Sequence, residues 1–185
     1  MKDVMSTDLA QPEKLFRVAL REREFDFARQ LIESGVVPID TDLIFNCCSC
    51  PSDEALEMII PILEDVSVSI PVGWWKRGLH YALHALFLRD DFTVHMEIVA
   101  RLLGKFTDIN TPGLGTCHIF DTMLESSRLS LTKVRAMVEI GLDLSNVQHH
   151  SNVPFKGTIT SFLTHGVEID TMIEILAYMR DHLKK

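Results

Sequence analysis

The chain lacks any run of 18 consecutive apolar residues, so the sequence predicts no helix that spans a membrane. Basic residues are also scarce, because 18 Lys and Arg stand against 26 Asp and Glu and give a formal net charge of −8. Non-specific nucleic-acid binding requires a basic surface that displaces counterions from phosphates, so this balance argues against a nucleic-acid partner. With 185 residues, 46% of them hydrophobic, we expect one soluble globular domain or one short array of repeats.

Spaced cysteine pairs are absent as well. Three of the four cysteines crowd into Cys47, Cys48 and Cys50, and the fourth is Cys117. Adjacent cysteines are poor disulfide partners, and no Cys or His pair follows at a zinc-finger spacing. We therefore expect a reducing compartment, no metal site, and a cluster that serves as small apolar residues at a helix end.

Residues 1–11 lack the apolar core of a signal peptide. We expect a flexible leader over 1–11 and a single repeat domain over 12–185, in the cytoplasm. A nuclear location, or the host cytosol for a secreted effector, is left open.

Motifs for catalysis are missing. The sequence contains no Gly-x-Ser-x-Gly elbow and no Gly-x-x-x-x-Gly-Lys-Ser/Thr phosphate loop. His80 and His84 lie one helical turn apart, but Tyr81 stands where a metalloprotease needs Glu. We interpret both histidines as structural and expect no enzyme and no cofactor. A small metal-binding or enzymatic helical protein that uses His80 and His84 is the alternative.

Helical spacing of apolar residues dominates, and strict strand-like alternation does not persist. A first helix places Leu15, Val18 and Ala19 on one side, and Gly35 is a natural cap at the end of the second. Ser52 is the expected N-cap of a helix in which Pro61 should produce a kink or an early end. Further helix pairs are predicted over 76–91 and 93–106, 117–127 and 131–141, and 158–166 and 168–185.

The helix ends recur at a regular interval. Lys105 and Gly141 close equivalent helices and lie 36 residues apart, and a period in the mid-thirties made of two helices and a turn is typical of a solenoid. Residues 78–82, Gly-Leu-His-Tyr-Ala, resemble the Thr-Pro-Leu-His-x-Ala start of the inner helix of an ankyrin repeat. Residues 97–103 are similar to the outer helix, and Asp108-Ile109-Asn110 resembles the turn that opens the hairpin finger.

The resemblance covers roughly residues 12 to 184 and implies an all-α solenoid of about five degenerate ankyrin-like repeats. Tetratricopeptide repeats share the period and are the second candidate, although the Asp-Ile-Asn turn is not theirs. Ankyrin arrays generally bind proteins through their concave face and finger loops. We therefore expect a non-enzymatic protein–protein interaction module, with roles as an inhibitor or as a microbial or viral effector left open.

Candidate partner-binding residues are of two kinds. The first kind are aromatic and imidazole side chains in predicted turns and loops: Trp74 and Trp75 after Pro71, and His149 and Phe155 in a later loop. The alternative for the aromatic side chains is that they pack in the core. The polar finger residues suggest a partner with a basic or mixed-charge surface, although they could simply keep a solenoid soluble: Asp40, Asp42, Asp108 and Asn110. We expect a monomer or weak homodimer; a self-associating structural unit is the third alternative.

Overall fold

Regular structure in the computed structural model is helical throughout the residues that the structure describes, which are 11–65, 74–110, 119–144, 162–163 and 166–183. The expectation of an all-α fold is therefore confirmed for these residues. The helices of seven or more residues, labelled in chain order, are α1 (Pro12–Arg21), α2 (Phe25–Glu33), α3 (Thr41–Ser49), α4 (Asp53–Asp65), α5 (Trp74–Phe87), α6 (Val94–Gly104), α7 (Ile119–Glu125), α8 (Leu131–Glu139) and α9 (Ile169–Leu183).

The helices pack as pairs that follow one another in two rows. Within pairs, α1 contacts α2, α3 contacts α4, and α5 contacts α6. Between pairs, α1, α3, α5 and α7 contact in chain order and form one row, here called the odd row. The even row consists of α2, α4, α6 and α8, also in contact in chain order, and α9 packs against α8. Each pair thus buries its apolar side chains against the next, which no single pair could do alone.

Four helices are followed by a residue in the left-handed backbone conformation. The residue after the C-cap of α1, α2, α7 and α8 has a positive φ angle: Arg23 (62°), Gly35 (69°), Ser127 (56°) and Gly141 (101°). At α8, the Gly141 N–H donates to the Val138 carbonyl and the Leu142 N–H to the Met137 carbonyl, which is a Schellman motif. Gly35 closes α2 as the sequence predicts, because glycine adopts this conformation at no steric cost.

Polar side chains begin three of the helices. Asp40 accepts a hydrogen bond from the Leu43 N–H of α3, Thr93 from the Met96 N–H of α6, and Ser130 from the Lys133 N–H of α8. Such caps satisfy backbone donors that the first helical turn leaves unpaired. They fix where each helix starts, and so they fix the length of the links between pairs.

The core is continuous across the described pairs, and two glycines allow close approaches within it. A Cβ at Gly78 of α5 would lie 2.6 Å from Oγ1 and 2.7 Å from Cγ2 of Thr41 in α3. A Cβ at Gly104 of α6 would lie 2.9 Å from the Cβ of Ile140. The odd row and the even row therefore each contain a contact that any larger residue would push apart.

Several boundaries differ from the sequence-based predictions. Helix α5 begins at Trp74, so Trp74 and Trp75 belong to the first helical turn and not to the preceding finger. The link between α2 and α3 ends at Asp40, so Asp42, predicted in a finger, lies inside α3. Helix α4 continues through Pro61 to Asp65, so the proline does not end it.

The buried face of α1 also differs. It carries Phe16, Ala19 and Leu20, whereas Leu15 and Val18 are 36% and 44% exposed. Residues 1–10 of the expected leader and residues 158–161 of the expected fifth pair lie outside the described residues.

Candidate functional site

A groove of about 770 Å³ opens on the odd row, between α3 and α5. The described residues that line it come from those two helices, from the link that follows each of them, and from the residue after Ser127. Within the described part of the chain, none comes from the even row, so the groove faces away from that row. The lining residues are Thr41, Asp42, Phe45, Ser49, Pro51, Gly78, Tyr81, His84, Ala85, Leu88, Arg89, Asp90 and Arg128.

The floor of the groove is apolar and partly aromatic. Tyr81 and Ala85 lie four residues apart on one face of α5, and Leu88, the first residue after α5, follows three residues later. Each is partly exposed, and opposite them Phe45 of α3 is 40% exposed. Gly78 stands at the head of the same face, where its missing side chain lets α3 approach α5. The floor therefore offers apolar area that no described residue covers.

Two cations cap the end of α5, and one of them, Arg128, lines the groove. Lys133 of α8 donates from Nζ to the carbonyl oxygen of Phe87 at 3.0 Å and also to that of Arg89. Arg128 donates to the Leu88 carbonyl, and its Nε pairs with Asp90 at 2.9 Å. Carbonyls at the end of a helix lack intrahelical partners and carry partial negative charge, so these cations stabilise the end of α5.

The Lys133 ammonium is buried and its pKa is lowered. Burial, and then the nearby Arg128 charge, lower the pKa of Lys133 to about 8, while Asp90 and Asp91 act in the opposite direction. The side chain is 2% exposed overall, so water cannot replace the two carbonyl oxygens as partners. These two bonds join the first turn of α8 to the end of α5.

Arg89, which lines the groove just after α5, also contacts the even row. Its side chain is 4% exposed, and its Nη2 lies 3.2 Å from Asp91 Oδ2 and 3.5 Å from Asp53 Oδ1. Asp53, the first residue of α4, also accepts a hydrogen bond from Thr93 Oγ1 at 2.8 Å and faces His95 Nδ1 at 3.1 Å. Burial would raise the pKa of the Asp53 carboxyl, but the Thr93 and His95 hydrogen bonds, with the charges of His95 and Arg89, lower it.

The predicted finger residues have local structural partners. Asp40 caps α3, and Asp108 accepts a hydrogen bond from the Asn110 N–H at 2.9 Å. The Asn110 amide donates to the Gly141 carbonyl at 2.9 Å and accepts from the Asp143 N–H at 2.8 Å, which joins one turn to the next. Of this set, only Asp42 reaches the groove, and it lies 3.7 Å from Arg17 Nη2. Partner binding by these four residues stays a prediction.

The other predicted partner-binding side chains fall outside the described residues. Trp74 and Trp75 begin α5, but their side chains lie outside the described part of the structure. His149 and Phe155 fall in residues 145–161, which the structure does not describe. Their roles stay predictions on the sequence alone.

The histidine pair and the cysteine cluster are largely internal. His80 is 6% exposed and His84 partly buried, with ring centroids 4.5 Å apart. Cys47, Cys48 and Cys50 are buried at the end of α3, and burial raises the pKa of the Cys48 thiol to about 12. In the chain segments described, no group of three His, Cys, Asp or Glu side chains is placed to hold a metal ion.

Sequence reasoning missed most of the groove. Phe45, Leu88 and Arg128 were not singled out, and Tyr81 was noted only beside the histidines. The available signal was the apolar spacing of Tyr81, Ala85 and Leu88, which marks one face of α5 and its continuation into the next residue. The pattern does not show which face stays open, because that depends on where α3 packs.

Comparison with known proteins gives no relative from which a function could be transferred. No protein-family model, no curated protein and no solved structure matches the chain. None of the described helices combines the length and the apolar character that crossing a membrane requires.

Proposed function

We propose that the chain is a non-enzymatic protein–protein interaction module built as a degenerate ankyrin-like solenoid. The consecutive pair-on-pair contacts in two rows support this assignment. So does the Asn110 amide, which joins the turn after α6 to the turn after α8 as neighbouring fingers would be joined. In this proposal the odd row is the concave, inner row.

The groove between α3 and α5 is the observation that carries the proposal. It combines partly exposed Phe45, Tyr81 and Leu88 with arginine and aspartate side chains at its rim. Aromatic and arginine side chains are enriched among the residues that carry most of the energy of protein interfaces. A groove of about 770 Å³ accommodates several side chains of an extended or helical segment.

The charges at the rim suggest a partner of mixed charge. Asp42 and Asp90 are exposed, with side chains 72% and 87% accessible, and Arg128 is 41% accessible. Their pairings with Arg17 and Arg128 are exposed ion pairs, which contribute little and exchange readily for a partner's charges. Charges of this kind favour fast encounter and correct register. The proposed location is the cytoplasm.

A pair of matched aromatic variants tests the proposal. Phe45 lies in the groove and is 40% exposed, while Phe27 of α2 in the even row is 45% exposed. Tagged parent, Phe45→Ala and Phe27→Ala proteins serve as baits in cell lysate, and quantitative mass spectrometry identifies retained proteins. Each candidate partner is then purified, and its direct binding to the three proteins is measured.

The proposal predicts at least one direct partner whose retention falls with Phe45→Ala and not with Phe27→Ala. Circular dichroism at matched concentration shows whether both variants keep the parental helicity. Partners that bind directly but are affected equally by the two variants would place binding elsewhere. Absence of any direct partner would contradict the interaction-module function.

A further inference from the structure

A second, smaller pocket of about 440 Å³ lies beside the groove, between the ends of α1 and α3. We call it the arginine pocket, because Arg17, Arg21 and Arg23 line it together. Ser49 and Pro51 line both this pocket and the groove, so the two are adjacent. The other residues of the lining are Leu20, Asn46, Cys50 and Ser52.

The charge of the pocket differs in sign from that of the chain. Among the described residues of the lining, three are arginines and none is a carboxylate, whereas the whole chain has a formal net charge of −8. Arg17 pairs with Asp42 at 3.7 Å, and Arg21 pairs with the adjacent Glu22 at 2.9 Å; both pairs are exposed. No described carboxylate forms an ion pair with Arg23, although Glu54 lies near enough for the two charges to interact.

Arg23 closes the end of α1 through its backbone. Its N–H donates to the Leu20 carbonyl, and the Glu24 N–H donates to the Ala19 carbonyl, so the helix end is closed by backbone bonds alone. The φ angle of Arg23 is 62°, a conformation that favours glycine. Glycine would close α1 with less strain, yet this position carries an arginine that lines the pocket and whose charge interacts with Cys50, another residue of the lining.

We propose that the arginine pocket binds an oxyanion, a carboxylate or a phosphate monoester, on a side chain of the partner segment that occupies the groove. Guanidinium groups present a planar fork of N–H donors that matches both kinds of oxyanion. The partner would then carry an acidic or phosphorylated residue beside the apolar residues that contact Phe45 and Tyr81. That the oxyanion belongs to a partner segment rests on the proposed function of the groove.

Small probes test the pocket without the partner. Phenyl phosphate, phenylacetate and the neutral 2-phenylethanol are titrated into the ¹⁵N-labelled full chain at constant ionic strength, and amide shifts are followed by NMR. The two anions should shift the amides of residues 20–23 and 49–52 saturably. The alcohol should bind on the order of tenfold more weakly, since it lacks a charge-assisted hydrogen bond. The ratio of the two anion affinities shows whether phosphate or carboxylate is preferred.

Matched variants separate a local site from general electrostatics. Arg23→Gln and Arg29→Gln remove the same charge, but Arg29 is an exposed residue of α2 that does not line the pocket. Arg23→Gln should weaken anion binding on the order of tenfold and Arg29→Gln should leave it unchanged. Arg23→Gly should weaken it equally while the fold is retained, since glycine suits the positive φ angle.

The inference is wrong if the alcohol binds as tightly as the anions, or if Arg23→Gln and Arg29→Gln weaken binding equally. Shifts that are linear in anion concentration would indicate an adventitious ion only and would also overturn it. These outcomes are independent of the groove experiment. If anions bind saturably but Phe45→Ala causes the loss of no partner, the pocket is still an oxyanion site. The proposed binding of a partner segment in the groove would then be wrong.

Discussion

Adding a single methyl group at Gly78 tests how tightly α3 and α5 pack beneath the groove. The new Cβ would lie 2.6 Å from Oγ1 and 2.7 Å from Cγ2 of Thr41. Ordinary contacts between such atoms begin near 3.5 Å, so α3 and α5 must separate by nearly an ångström or Thr41 must move. Gly78→Ala therefore strains the contact that forms the head of the groove.

The expected magnitude follows from two opposing effects. Overpacking of a well-filled contact costs about 1–3 kcal/mol. Alanine in place of glycine inside a helix stabilises by about 1 kcal/mol, and Gly78 lies inside α5. The net expectation for Gly78→Ala is a free energy of unfolding lower by up to roughly 2 kcal/mol.

A double-mutant cycle with Thr41→Gly identifies the cause. The three atoms nearest to the added Cβ all belong to the Thr41 side chain. In the Thr41→Gly background the clash is gone, so Gly78→Ala should stabilise by about 0.5–1 kcal/mol. Urea unfolding followed by circular dichroism measures all four proteins. A destabilisation of equal size in both backgrounds would refute the reasoning, because the strain would then not arise at Thr41.

Three further predictions concern the polar groups around the groove and its neighbouring turn. The folded-state pKa of Lys133 is lowered to about 8, so between pH 8 and 10.5 the folded protein releases this proton before the unfolded chain does. The free energy of unfolding of the parent should therefore rise relative to Lys133→Met over that window, by at most roughly 3 kcal/mol; a difference that is flat with pH would contradict the lowered pKa. Asp53→Ala should cost about 1–3 kcal/mol above pH 4, because Arg89 and Thr93 lose an acceptor, and the cost should fall as pH drops through the lowered pKa of Asp53; Glu64→Ala, at an exposed position of the same helix, is the control for urea unfolding. Asn110→Ala should cost about 1–2 kcal/mol through the lost bonds to Gly141 and Asp143, more than the control Asn46→Ala, whose side chain bonds only its own helix.

The helical class and much of the pairing could be predicted from the sequence. Apolar spacing located α6 and α8 to within a few residues, and Gly35 and Gly141 close α2 and α8 where the pattern places them. These signals are local, because a helix needs only its own periodicity and caps. The two-row contact pattern agrees with a repeat, but the ankyrin assignment itself remains a proposal.

The rest depended on contacts that a linear pattern does not record. Helix α3 begins at Thr41 because the Asp40 side chain caps it, and the same aspartate was interpreted as a finger residue. Arg23 and Ser127 take the helix-closing conformation that sequence reasoning assigns to glycine or asparagine. The head of the groove lies where Gly78 admits Thr41, a contact between residues that lie far apart in the chain.

The central claim is that a partner segment binds in the groove between α3 and α5. The most direct measurement is the dissociation constant of a purified direct partner for the parent, Phe45→Ala and Phe27→Ala proteins, by isothermal titration calorimetry. The account predicts that Phe45→Ala weakens binding by about 30-fold or more, the effect of a central interface residue, and that Phe27→Ala changes it little. Equal dissociation constants for the parent and Phe45→Ala would contradict it.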